Sequence, residues 1–391
     1  MLSDIKIGCS STNTKYGKRL DTAIIELNTK ANISGLFTSN KFKSAPVQVC
    51  LDQFKKKMHG KKMLIVNAGN ANAATGEKGV EDTKRLINNI SNLSGIEFNK
   101  ILPFSTGVVG ELLDMESLVP AFKDCIKNLS KNTWSDFAKA IMTTDTHHKM
   151  VKHEVKIGSK KFKIIGIAKG VGMIEPNMAT TLSYVFTDLK IPTLKLKKLH
   201  KKACDNSFNV ISIDGDQSPS DSTILVATGS VDIDIKRYEE KIERELLTVF
   251  RKLSEKLVLD GEGATKLIRI NVKGLSSYDD CKKVALKIAN SPLVKTAAYG
   301  EDPNWGRIIS AAGNANVDEF DMNNLNLKIG KHLVLFKGNL SKSYSESKGR
   351  REFRKKIIQL DITLGKSKNS ALIMTSDLTP DYISINSDYR S

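Results

Sequence analysis

Lys169-Gly-Val-Gly-Met-Ile-Glu-Pro-Asn-Met-Ala-Thr-Thr-Leu-Ser-Tyr-Val-Phe186 changes character halfway along. Two glycines, Pro176 and Asn177 give its first half the chemistry of a turn-bearing loop. From Thr180 or Thr181 onward it is rich in β-branched and aromatic residues and reads as a buried strand. On spacing alone Thr180 is a threonine at a strand entrance, and most such residues do nothing more.

Outward from this stretch the chain alternates strand and helix patterns. Lys61–Val66 reads as a strand, as do Val151–Ile157 and Phe162–Ile167 around a Gly158-Ser159 turn. Ile358, Leu360, Ile362 and Leu364 alternate within 357–364 as on a half-buried strand. Val80–Leu93 carries helical periodicity. So does Tyr238–Leu259, where Ile242, Leu246, Val249, Leu253 and Leu257 share one face. A third helix runs from about Ser277 to Ala289, with Ser276 and Asp279 as its start signal. The mixture argues for an α/β or α+β fold.

Several loops are dense in Asn, Gly and Thr: Asn67–Gly76, Ser105–Gly110, Met142–Thr146 and Tyr299–Arg307. Loops of that kind, held between strands, are where sites are built. Gly261-Glu-Gly-Ala-Thr-Lys266 has a phosphate-loop flavour, but the Walker spacing fails and no G-x-G-x-x-G follows a strand.

The chain has 391 residues, two or three domains' worth at about 150 residues each. Hydrophobic residues make up 40% and charged residues 27%, the balance of a soluble globular protein. No run approaches the roughly 18 apolar residues of a spanning helix. The first ten residues resemble neither a secretory signal nor a presequence, so a cytoplasmic protein is expected. The net charge of +18 points toward nucleic acid, but only 11 of the 61 basic residues are Arg, the residue favoured for base and phosphate recognition. The densest basic runs, 194–202 and 348–356, carry no aromatic ladder and read as solvated faces. Five cysteines without a C-x-x-C suit a reducing compartment, and His147, His148 and His153 lack companions at metal-ligand spacing. No metal site is expected.

The stretch 169–182 resembles the cleavage-site motif of the ornithine acetyltransferase (ArgJ) family. The other blocks that resemble the family come in the family's order: 37–40 with 45–47, 67–76, 105–110, 142–146, 260–266, 295–297 with 300–307, and 386–391. The resemblance covers the chain almost end to end. It implies an α/β (α+β) layered sandwich of the ArgJ/DmpA kind, with two central β-sheets flanked by helices. It implies a precursor that cuts itself between Ala179 and Thr180 into an α chain, 1–179, and a β chain, 180–391. The two would stay intertwined and assemble as an α2β2 heterotetramer or larger.

The implied activity is glutamate N-acetyltransferase. Acetyl would pass from N2-acetyl-L-ornithine to Thr180 and then to L-glutamate by a ping-pong route. No metal or bound cofactor is implied; whether acetyl-CoA also serves as donor is open. The chemistry is sound, because a freed α-amine, with a pKa of about 7.7–8.0, is a competent base at neutral pH for its own hydroxyl. By resemblance Thr106 and Gly107 form the oxyanion hole, and Thr143 (or, one register along, Thr144), Lys169, Thr180, Glu262, Asn386 and Ser391 bind substrate. The chain departs from the family at Ser391, where Thr is usual, in Asp214–Asp221, and in Gly8–Lys15. Three rivals stand beside this reading: a self-processing amidase or aminopeptidase that passes the acyl group to water, a processed but idle structural protein, and a nucleic-acid binder drawn by the positive charge.

Overall fold

The computed structural model describes Leu2 and residues 4–175, 181–318 and 320–388. It divides into two compact units. The first holds residues up to 173, 181–209 and 217–257; the second holds 174–175, 210–216 and 258–388.

The first unit opens with β1 (Ile5–Ser10), β2 (Thr22–Leu27) and β3 (Asn32–Phe37), then α1 (Ala45–Phe54), β4 (Lys62–Asn70), α2 (Gly76–Ser94) and β5 (Ile101–Val108). Next come α3 (Met115–Lys127), α4 (Trp134–Ala140), β6 (Lys149–Ile157), β7 (Lys160–Lys169), β8 (Leu182–Leu189) and α5 (Thr193–Asp205). The short β9 (Ile211–Ser212) belongs to the second unit; β10 (Ser222–Val231) and most of α6 (Glu239–Leu259) return to the first.

The strands of the first unit form two sheets, β1-β2-β4-β5 and β3-β10-β8-β7-β6. Their facing sides share one apolar layer. Ile25, Leu64, Val66 and Phe104 enter it from one sheet, and Ile165, Ile167, Tyr184, Phe186 and Val226 from the other. Tyr184 meets Phe104 and Phe137 edge-on at centroid distances of 5.4 and 5.2 Å, a favoured aromatic geometry. Alternate residues of the first sheet, such as Ile24, Met63, Ile65 and Ile101, point the other way into a core with Leu86, Ile87 and Ile90 of α2 and Leu118, Phe122 and Cys125 of α3. On the outer side of the second sheet, Gly166 of β7 makes room for α6. A Cβ there would lie 2.7 Å from Leu253 and Val249. His200 of α5 is fully buried between Ser34 and Thr223, 3.0 and 3.3 Å away, and burial pulls its pKa down to about 3, so it stays neutral. This unit is thus the expected sandwich of two sheets with helices on both outer faces.

A third sheet builds the second unit. Its strands are β11 (Leu267–Lys273), β12 (Asn326–Ile329), β13 (His332–Phe336), β14 (Asn339–Leu340), β15 (Ile357–Thr363) and β16 (Ser370–Ser376), joined by β9 in the order β14-β13-β12-β15-β11-β16-β9. Its helices are α7 (Tyr278–Ala289), α8 (Pro292–Tyr299), α9 (Trp305–Gly313), α10 (Glu346–Phe353) and α11 (Pro380–Ser387). The start of α7 lies one residue beyond the expected signal. Ser277 is the N-cap and accepts from the Asp280 N–H, because the cap must reach the third helical amide. Gly158, at φ +60°, turns the hairpin between β6 and β7 where the sequence places it. The basic run 194–202 lies along α5, whose buried face is Leu196, Leu199, His200, Ala203 and Cys204, while Lys195 and Lys202 pair with Glu239 and Glu243. Among the described residues no helix is long and apolar enough to cross a membrane.

Candidate active site

Strands β4 and β5 run parallel, and their shared end is irregular. Gly69 lies opposite Gly107, after which the register slips at Asn70. Gly107 has φ +132°, and a Cβ on it would sit 2.2 Å from the Gly69 carbonyl carbon and 2.6 Å from the Asn70 nitrogen. Only glycine allows two backbones this close. Side-chain amides brace the slip: the Ser105 hydroxyl donates to Asn67 Oδ1 at 2.6 Å, and Asn67 Nδ2 donates to the Asn70 carbonyl at 3.0 Å. Beyond it, Asn72 sits at φ +46° and donates to the Gly79 carbonyl and the Thr83 hydroxyl, fixing the entry to α2. The Asn-rich segment is therefore scaffold for the strand end that presents Thr106 and Gly107.

Strand β7 delivers Lys169 to the same place. Its ammonium donates to Thr106 Oγ1 at 2.8 Å and to Thr143 Oγ1 at 2.9 Å, and the residue is only 6% exposed. Lysine has no acceptor, so both hydroxyl oxygens accept, and each threonine keeps its own O–H to donate elsewhere. Of the Thr143–Thr144 pair, Thr143 is the one whose hydroxyl meets Lys169. The loop that carries it is held from the other side by Arg19, which donates to the Met142 carbonyl at 2.7 Å and the Thr143 carbonyl at 3.3 Å.

Asp145 lies beneath this group. Its Oδ1 accepts from Lys149 Nζ at 2.5 Å and from the Gly170 N–H at 2.9 Å, and its Oδ2 accepts from the Thr143 N–H at 3.0 Å. Burial works to raise this carboxyl, but Lys169, Lys149 and the hydrogen bonds prevail and hold it below the ordinary carboxylate value.

Strand β8 starts beside this cluster. Leu182 pairs with Lys169 across β7 and β8, and the Thr181 carbonyl accepts from the Ser222 N–H at 2.9 Å. Thr180 is thus two residues from a position in register with Lys169. Ala179 and Thr180 themselves lie outside the described residues, as does Ser391.

Glu262 and Asn386 belong to the second unit and meet there: Asn386 Nδ2 donates to Glu262 Oε2 and to the Tyr382 carbonyl, both at 2.9 Å. Gly263, at φ +65°, fits under α11, where a Cβ would press on the Tyr382 nitrogen at 2.6 Å. Tyr382 in turn reaches Asp214 at 3.4 Å. So Thr106, Gly107, Thr143 and Lys169 come together in one unit, and Glu262 and Asn386 come together in the other. His153, grouped in sequence with His147 and His148, instead bonds Glu245 of α6 at 2.8 Å.

A family model described as the ArgJ family matches residues 6–391. The chain belongs to the ArgJ family. The arginine biosynthesis bifunctional protein ArgJ of Colwellia psychrerythraea is 40% identical over 100% of this chain and 96% of its own length, and that of Methylococcus capsulatus is 36% identical over the same shares. A solved structure of the arginine biosynthesis bifunctional protein argJ from Bacillus halodurans, 29% identical, aligns with 52% of this chain and 96% of its own at a TM-score of 0.48. As an ArgJ-family member the chain is an acyltransferase of arginine biosynthesis. Sequence reasoning missed Asp145, Lys149 and Arg19 in this cluster. Asp145 stood inside the quoted Met142–Thr146 block, but a lone carboxylate in a Thr-rich loop carries no pattern of its own.

Proposed function

We infer that the chain is a self-cleaving glutamate N-acetyltransferase that uses N2-acetyl-L-ornithine as donor. The observation that carries this reading is the Lys169 ammonium holding the Thr106 and Thr143 hydroxyls beside Gly107, at the strand position in register with Leu182.

In maturation the Thr180 hydroxyl attacks the Ala179 carbonyl. The peptide becomes an ester as the Thr180 nitrogen leaves with a proton, and water hydrolyses the ester to an Ala179 carboxylate and a free Thr180 amine. In turnover that amine takes the hydroxyl proton while Thr180 Oγ1 attacks the acetyl carbonyl. The Thr106 O–H and the Gly107 N–H donate to the oxyanion. Collapse returns the proton to the departing amine of ornithine, and the glutamate amine then attacks the acetyl ester by the same route in reverse. Lys169 offers positive charge to a substrate carboxylate, while Glu262, held by Asn386, suits the ornithine ammonium. Thr143 and Ser391 complete the binding set. None of these steps calls for a cofactor. The working form is an α2β2 heterotetramer or larger, in the cytoplasm.

The test is product analysis. With acetylornithine and glutamate, acetylglutamate and ornithine should accumulate in equal amounts; free acetate in place of acetylglutamate would make the protein a hydrolase instead. The same assay with acetyl-CoA decides whether that thioester is a second donor. Thr106→Val keeps the shape of the side chain and removes the donated proton. Its kcat should fall by about 10²–10³ with KM little changed; an unaltered kcat in cleaved protein would take Thr106 out of the oxyanion hole.

A further inference from the structure

The buried pair of Asp145 and Lys149 has no part in the steps just described, yet it touches the residues on either side of them. Asp145 accepts from the backbone N–H of Thr143, whose hydroxyl takes Lys169, and from the backbone N–H of Gly170, the residue after Lys169. The links close a ring: Asp145 to Gly170, along the chain to Lys169, through its ammonium to the Thr143 hydroxyl, and from the Thr143 amide back to Asp145. The Asp145 side chain is fully shielded from solvent and that of Lys149 nearly so. Gly170, at φ +142°, follows β7 directly, and its N–H faces the carboxylate.

We propose that Asp145, charge-balanced by Lys149, is the positioning residue that holds Lys169 and Thr143 in register for the substrate carboxylate. An aspartate offers two acceptor oxygens and can serve two backbone amides and an ammonium together. An asparagine has one, so either the Thr143 or the Gly170 amide loses its partner. Lys149 supplies the countercharge that lets a carboxylate rest here in the absence of substrate.

This rests on the acetyltransferase reading, and the experiment separates the two. Asp145→Asn and Asp145→Asn/Lys149→Met are purified, checked for fragment pattern and unfolding midpoint, and assayed for KM and kcat; ornithine binding is measured by calorimetry. The double variant removes the Lys149 charge together with the carboxylate it pairs with, so it carries the test if the single variant folds poorly. In folded double variant the KM for glutamate and the Kd for ornithine should each rise at least tenfold, with kcat within about threefold, because β4 and β5 still hold Thr106 and Gly107 at their paired ends. Lys149→Arg, which keeps the charge, should stay near wild type. A folded double variant with unchanged KM and Kd, or one that loses kcat alone, overturns the proposal. Failure of the wild type to form acetylglutamate would strike the functional reading instead, while ornithine binding would still report on the ring.

Discussion

Thr180→Ala should run as one band of 43.1 kDa, where the wild type should give fragments of about 20 and about 23 kDa in proportion to their lengths. Alanine has no hydroxyl to attack the preceding carbonyl, so the peptide bond stays and the α-amine that would act as base never forms. Nucleophile and base vanish together, and acetyl transfer should drop by at least about 10⁴-fold. Intact mass spectrometry beside an activity assay checks both. A wild type that stays in one piece yet makes acetylglutamate would show that the amine of Thr180 is not the base. Thr180→Ser separates the two functions of the side chain: it should still cut, more slowly, because serine lacks the branch that restricts the hydroxyl's rotamers.

Gly107→Ala should be a severely damaging change for a single methyl group. The new Cβ would meet backbone atoms of Gly69 and Asn70, which have no rotamer to yield with, and φ +132° strains any L-residue. Relief requires β4 and β5 to part at their irregular end, moving the Thr106 hydroxyl and the Gly107 N–H together. Displacing even one such donor costs about 10²–10³ in rate. The loss should therefore exceed that of Thr106→Val, with cleavage slowed as well and the unfolding midpoint lowered. A Gly107→Ala protein that cuts and turns over normally would show that this N–H lies away from the reacting carbonyl.

Much of the fold was legible where a pattern is local and long. The apolar stripe of 238–259 needs only its own spacing to declare α6, and Gly158 needs only a two-residue turn to join β6 to β7. The alternation of 357–364 announced a strand, but its parallel pairing with β11, some 90 residues earlier, belongs to a third sheet that periodicity does not encode. The two-residue β9 is too short to leave a pattern at all. The site divides the same way. Thr106, Gly107 and Lys169 sit in motifs and were legible by resemblance. Asp145 acts on main-chain amides, and any sequence can supply those, so its importance shows only when Gly170 and Thr143 are seen to share it.

The sheet β3-β10-β8-β7-β6 takes β3, β6 and β7 from before residue 180 and β8 and β10 from after it. A cut at the 179–180 bond, as proposed above, would leave the β3–β10 and β7–β8 ladders in place, so the halves would stay zipped along those seams. What such a cut would remove is the tether. In an uncut chain the two halves find each other at the millimolar effective concentration a covalent link provides; in a cleaved enzyme, once unfolded, they would be two solutes that must meet by diffusion. Refolding would then become second order and slow on dilution, so the activity recovered after denaturation would measure how the protein was assembled as much as how stable it is.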